Sequence, residues 1–526
     1  MGRALGRRAL NEAKQETSAP SADLATLARG GRINFFGFVL RLAARLPFLF
    51  IAGRFYGPEL LGRFAYAIIV IELAAQLATI GLKRGLAQQL AKTDQPHVCI
   101  VFDGLMAAFI ASAVASAILM IFPQAMFPAG DIHGADWLLP LIIFGIAGAD
   151  VALAALAYRH DIASTVRVRA IVEPVTISVA AGLLYFVVPK DGLIIAYVIS
   201  IAAGLSVALW RLVRDYGLPQ GWKPHPDTVW TVARQNFPLA AADAIEWGSR
   251  RIDIAILGLF VAPYWVGIYY IAQNVASLPA KLKTSFDPIL APVITQKLSE
   301  GDLPAVAKQV RQVGFWVISA QLGIALALAI PGEAVMGLVG PEFVAGTAAL
   351  AFLLFAEAVA ATAAVSEAAL VYVARVRNVL ISLLMIGTQA VLTVLIILAV
   401  TKLPIPAKRV EAYQSAGAAV ALMLALALAS VLKSNLLGRL LGAPVQGWRW
   451  SLLWAAAAGV VAGELAILLP EWAELAFGVP AILIAFGAVL WTRGFGPADR
   501  ELFRMSKRDI EELSLPDPST SADAPR

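Results

Sequence analysis

The sequence predicts an all-α polytopic membrane protein, and three observations carry that expectation. The 526-residue chain is 59% hydrophobic and only 15% charged, with a mean hydropathy of +0.75, far from the balance of a soluble domain of this size. Apolar runs of about bilayer length recur along it. Basic residues collect in alternate loops between those runs, the pattern that orients membrane chains.

The runs fall at about 33–53, 62–82, 98–122, 137–157, 170–188, 192–212, 238–261, 265–290, 313–331, 345–372, 379–401, 411–432, 449–469 and 475–492, which makes about fourteen transmembrane helices. With a cytoplasmic N-terminus, the inside loops carry Lys83, Arg84 and Lys92, then Arg159, Arg167 and Arg169, then Arg211, Arg214, Lys223 and Arg234. Further along they carry Lys297, Lys308 and Arg311, then Arg375 and Arg377, then Lys433 and Arg439, and Arg493 onward. The outside loops near 123–136, 262–264, 332–344 and 470–474 hold no Lys or Arg. Arg54, Lys190 and the group Lys402, Lys408 and Arg409 break the rule. Both ends are therefore expected in the cytoplasm. The polar N-terminal tail 1–32 lacks the apolar core of a secretory signal, and the C-terminal tail 493–526 ends in a disorder-prone "SLPDPSTSADAPR".

Several function classes recede on composition alone. The net charge of +6 needs no nucleic acid to explain it, since basic loops orient a membrane chain. Cys99 stands alone, so no internal disulfide forms, and the four histidines lack metal-ligand spacing. No GxxxxGK[ST] loop is present, which argues against ATP hydrolysis by this chain. The longest internal loop, "DYGLPQGWKPHPDTVWTVARQNF", is too short for a separate catalytic domain. That weighs against a membrane glycosyltransferase, ligase or polymerase, and a non-enzymatic role within the helices is expected.

The first run poses the chemical question. It holds Arg41 and Arg45 near its middle, at i and i+4 on one helix face. Each costs roughly 2.5–3.5 kcal/mol at a helix centre. Snorkelling over the intervening distance of about 9–12 Å is strained for both. Polar stripes elsewhere offer a context. Run two carries Glu72, Gln76, Thr79 and Lys83, run seven carries Asp243, Glu246, Arg250 and Asp253 flanked by Arg251, and run eight carries Asn274, Ser277, Lys281 and Thr284. Each stripe lies on one helix face at 3.6 residues per turn. Lipid cannot solvate them, so they face one another or water. A buried ion-pair network is the plainer alternative, with Arg41 and Arg45 on Glu72, and Arg250 on Glu246 and Asp253.

An internal repeat joins the same runs. "GPELLGRFAYA" and "APYWVGIYYIA" share P-x3-G-x-[FY]-x2-A, with Pro58, Gly62, Phe64 and Ala67 answering to Pro263, Gly267, Tyr269 and Ala272 at an offset of 205 residues. Six runs separate the copies, so the halves keep one orientation and are related by an axis along the membrane normal.

Together with "LVGPEFVAGTAALAFLLFAEAVA", these segments resemble the bacterial polysaccharide and O-antigen flippases, over about residues 30–440. They belong to the superfamily of multidrug extruders and the lipid II flippase. The resemblance implies two pseudo-symmetric six-helix lobes, at 33–212 and 238–435, joined by a cytoplasmic loop at 213–237, around a cavity lined by helices one, two, seven and eight. Helices thirteen and fourteen, at 448–492, would be the two C-terminal helices that form a lipid-tail groove in the lipid II branch. It further implies a bacterial inner-membrane carrier that moves a polyprenyl-diphosphate-linked oligosaccharide from the cytoplasmic to the periplasmic leaflet by alternating access. Its partners would be membrane lipids and the polymerase and glycosyltransferases of the same pathway. On this reading Arg41, Arg45, Glu72, Gln76, Glu246, Arg250, Arg251, Asp253, Asn274 and Lys281 form the substrate site, with guanidinium forks on the diphosphate. No cofactor is expected. A coupling cation, H+ or Na+, is one alternative for the driving force, and a lipid II-type flippase or a cation-coupled small-molecule exporter is the alternative function.

Overall fold

A computed structural model describes residues 46–283 and 300–496, apart from 93–94, 129, 131 and 224–225, together with 294, 297, 298 and 499. Arg41, Arg45 and both terminal tails lie outside the described residues, as does the side chain of Lys281.

The described chain is helical throughout and contains no strand. The helix over 46–56 (α1) ends at Gly57, whose φ of 75° only glycine adopts readily. Pro58 then starts α2 (Gly57–Ala78), where a missing N–H costs nothing. Next come α3 (Leu82–Ala91), α4 (His97–Ile121) and α5 (Ile142–Tyr158). The helix over 162–184 (α6) widens into a π turn at Arg167–Val172, just ahead of Pro174. A π turn there accommodates the carbonyl that the proline leaves without a donor. The first half closes with α7 (Gly192–Tyr216).

The second half holds α8 (Pro226–Phe260), α9 (Pro263–Lys283), α10 (Leu303–Ala329), α11 (Thr347–Val373), α12 (Arg375–Val400) and α13 (Ala407–Leu441). Then follow α14 (Trp450–Ala466) and a helix over 471–494 (α15). The segment expected as an inter-lobe loop at 213–237 is shorter than that: α7 runs on to Tyr216 and α8 begins at Pro226. Apolar run length marks where a helix enters lipid, and a helix continues past that point while its polar groups meet water.

Nine helical stretches among the described residues are long and apolar enough to cross a membrane, and Trp450–Ala466 is a shorter apolar helix. The charged and polar residues of α6, α8 and α9 keep those elements off that tally, although all three are packed in the bundle. Side-chain placement is inverted relative to a soluble protein. Leu468 is 81% exposed and Phe186 78% exposed, whereas Asp253 is fully buried. Such a surface is stable only against hydrocarbon.

The two C-terminal helices dock on α10. Gly323 lies against Phe486 and Gly463 against Ile330, so small residues admit large ones across each contact. The buried Asp499 carboxylate fastens the end of α15, accepting from Arg449, Gln312, the Trp316 indole and the Gly496 amide at 2.8–3.2 Å. Burial pushes that carboxyl up, but the bonds from Arg449 and Gly496 outweigh it and hold the group below its ordinary value.

Candidate functional site

The two copies of the repeat meet each other. α2 and α9 cross at Gly62 and Gly267, where a Cβ on Gly62 would strike the Pro263 carbonyl and a Cβ on Gly267 would strike the Pro58 carbonyl. The contact is reciprocal, as a twofold relation between the halves requires. Only residues without side chains allow main chains this close. Around the crossing, Gly53 lies against Val339 and Phe343, and the Arg54 Nε–H donates to the Leu338 carbonyl at 3.1 Å. Arg54, an exception to the charge rule, thus ties α1 to the segment ahead of α11. Arg63 pairs with Asp136 and stacks on Phe127 at 4.3 Å. The halves are closed together on this face of the bundle.

The other end, here called the basic face, is held by charge. After α2 the chain turns through Ile80 and Gly81, both at positive φ, and Ile80 at 51° is a strained conformation for a β-branched residue. The turn sets Gly81 and Gly85 against Asn236, Leu239 and Ala240 of α8, and delivers Arg84 from α3. Arg84 donates to Asp243 Oδ1 at 2.7 Å and also pairs with Glu246. Arg250, one turn along α8, approaches Glu246 at 3.6 Å with its side chain 75% exposed. Neither guanidinium is sealed dry against its carboxylate. Asp243 is buried, and its Oδ2 has no hydrogen-bond partner among the described residues.

Asp253 behaves differently from the stripe-mates that helical periodicity assigned to it. It is fully buried between α8 and α9, accepting from the Tyr269 hydroxyl at 2.7 Å and the Gln273 amide at 2.9 Å. Arg250 is not its partner: Arg251 donates to Gln273 Oε1 at 2.9 Å, so the guanidinium reaches Asp253 only through that amide. Asn274 is also buried and donates back to the Tyr270 carbonyl of its own helix. Glu72 and Gln76 sit half-buried on α2, and Glu72 forms no ion pair among the described residues. The structure therefore groups Glu246 with Arg250, and Arg251 with Asp253, while Asn274 points elsewhere.

Sequence reasoning missed Arg84 as a site residue, although "LKRG" directly continues the α2 stripe. A second network inside the first half was also not foreseen. Arg169, placed by the π turn, bridges Asp150 and Glu173, the latter at 2.6 Å. Among the described residues, no group of three His, Cys, Asp or Glu side chains is arranged to hold a metal ion.

A long bundle of lipid-facing helices, in two halves related by a reciprocal crossing and tied by Arg84 across the opposite end, defines the architecture of the two-lobed membrane carriers. The chain belongs to the polysaccharide biosynthesis protein family, whose profile matches residues 34–297. The fold is similar to that of the lipid II flippase MurJ in its inward closed conformation, with a TM-score of 0.66 and 11% identity over 89% of this chain and all of that one. It is also similar to a multidrug resistance MATE family transporter of the MOP superfamily. In the inward-facing conformation of that family the TM-score is 0.61 and the identity 13%, over 76% of this chain and 98% of that one. In an outward-facing conformation the TM-score is 0.51 and the identity 13%, over 79% and 96%. No curated protein sequence matches the chain.

Proposed function

We propose that the protein is a flippase that carries a polyprenyl-diphosphate-linked oligosaccharide from the cytoplasmic to the periplasmic leaflet of a bacterial inner membrane. The observation that carries this reading is an asymmetry between the two faces. One is closed by main-chain packing at Gly62 and Gly267, and the other by ion pairs in which Arg84 and Arg250 stay partly open to water. Membership of the polysaccharide biosynthesis family supports the cargo class.

On this reading the basic face is the cytoplasmic one, which the bias of Lys and Arg toward its loops supports. A diphosphate entering there offers anionic oxygens to guanidinium groups that Glu246 holds in the meantime. Anions exchange for anions, so little charge is left bare at any stage. On this reading Arg41 and Arg45, which lie outside the described residues, would also bind the diphosphate, while the sugar rides between the lobes and the polyprenyl tail stays in lipid. Release on the far side needs the Gly62–Gly267 crossing to part while the ion pairs that the diphosphate displaced re-form on the basic face. Glycosyltransferases would supply the cargo and a polymerase would consume it.

The test is delivery of lipid-linked oligosaccharide to the periplasm in cells carrying Arg41→Ala with Arg45→Ala, and separately Arg250→Ala. Each is expected to cut delivery at least tenfold at normal protein level, the loss of one or two charge-assisted bonds of about 1.5–3 kcal/mol. Normal delivery by both variants would remove the diphosphate site. A glycan precursor limited to peptidoglycan would make the protein a lipid II-type flippase instead.

A second reading, a cation-coupled exporter of small molecules, has one observation in its favour. Asp253 is a fully buried carboxyl whose Oδ1 has no hydrogen-bond partner among the described residues, a position that an H+ or Na+ would satisfy. Asp253→Asn in proteoliposomes is expected to uncouple movement from an imposed proton or sodium gradient. An unchanged gradient response would leave Asp253 a structural hydrogen-bond acceptor.

A further inference from the structure

Away from the inter-lobe charges, a groove of about 560 Å³ runs along the lipid side of α4 and α7, lined by Phe102, Phe109, Ala113, Leu209, Val213 and Trp222. Its roof comes from the segment that connects the two halves. The Trp222 indole donates to Asp103 Oδ1 at 2.7 Å, and its ring meets Phe102 edge-on at 6.1 Å. That bond uses up the donor which would otherwise open the groove to polar ligands, and it leaves an apolar channel beneath an aromatic cap.

Length selects the occupant. From Phe102 to Ala113 the groove follows α4 for about 16 Å at 1.5 Å per residue. That is half of a hydrocarbon core of about 30 Å. The groove therefore starts at the polar boundary of the basic face, marked by Trp222, and stops near the midplane. A chain confined to one leaflet fits this length, whereas a polyprenyl chain of many five-carbon units would outrun it.

Charge selects the headgroup. Lys223 follows Trp222 directly and Arg214 follows Val213, and both are exposed. The Arg214 guanidinium lies 5.8 Å from the Trp210 ring, and neither cation forms an ion pair with a carboxylate among the described residues. Two exposed cations that each directly follow a groove-lining residue in the chain suit a phosphate ester at the membrane surface. We infer that the α4–α7 groove binds an anionic glycerophospholipid of the leaflet on the basic face, with one acyl chain along Phe109 and the phosphate at Lys223 and Arg214. Because Trp222 belongs to the connection between the halves, the bound lipid also steadies the link about which they move.

Native mass spectrometry of the full chain, released from nanodiscs of phosphatidylglycerol and phosphatidylcholine in equal amounts, tests this. One phosphatidylglycerol is expected to stay with each chain, favoured roughly tenfold or more by two cations near its phosphate. Ala113→Trp, which fills the inner end, is expected to lose the retained lipid. Arg214→Glu with Lys223→Glu alters only exposed side chains and is expected to abolish the preference while leaving chain occupancy. Equal retention of both lipids by the unaltered protein would overturn the site, as would a preference that survives the double charge reversal. Displacement by an equimolar polyprenyl phosphate would also overturn it, by giving the groove to the cargo tail.

Discussion

Gly62→Val or Gly267→Val is expected to hold the protein open on the face where α2 and α9 cross, and to reduce transport at least a hundredfold. A Cβ on either glycine would meet main-chain atoms of the other half, the Pro263 carbonyl and Gly267 amide in one case and the Pro58 carbonyl and Gly62 amide in the other. Overpacking generally costs about 1–3 kcal/mol because side chains move aside. Main chain cannot rotate away, so the cost falls at the top of that range, and about 3 kcal/mol corresponds to more than a hundredfold shift between two conformations. The protein should still fold, since the halves need only separate. Labelling of a single cysteine at Glu59 or Tyr264, in a Cys99→Ser background, would read the opening directly. The reciprocal contact demands similar effects from both valines. Normal transport with either, or effects differing by more than tenfold, would defeat the view that this crossing is the closed gate.

Arg84→Ala is expected to have the second largest effect, and to separate stability from transport. Loss of one partner from a buried pair costs about 3–5 kcal/mol. Arg84 is half exposed while Asp243 is buried, so water screens part of this and about 2–3 kcal/mol remains. Asp243→Asn in the same chain should restore the melting temperature, because it removes the carboxylate left bare. Transport should stay low in the double variant, because Glu246 then has no Arg84 with which to exchange for the diphosphate. Recovery of transport together with stability would make the pair a structural tie and nothing more.

Particular residues show why some of this was legible in the sequence. Pro58, Gly62, Pro263 and Gly267 stand out as a repeated pattern because close main-chain approach tolerates little else, and the pattern marks where the halves are equivalent. Helical periodicity likewise placed Glu246 and Arg250 together, since i and i+4 meet on any helix. The same periodicity put Asp253 on that face but could not foresee Tyr269 and Gln273 closing over it from α9. In sequence Arg84 looks like an orienting loop charge, because no acid lies within two turns of it. Its partners lie 159 and 162 residues further along.

The sequence by itself determined that this chain crosses the membrane many times, that its two halves are related, and which helices carry charge into the bilayer. These are local properties, set by hydrophobicity, turn residues and spacing along one helix. Only the tertiary structure decided which charges meet, that one face is closed by glycine packing and the other by arginine pairs, and that the groove beside α4 has an aromatic roof. Those outcomes depend on how helices distant in sequence are brought side by side, because the free energy of an ion pair or a packed glycine belongs to both partners at once.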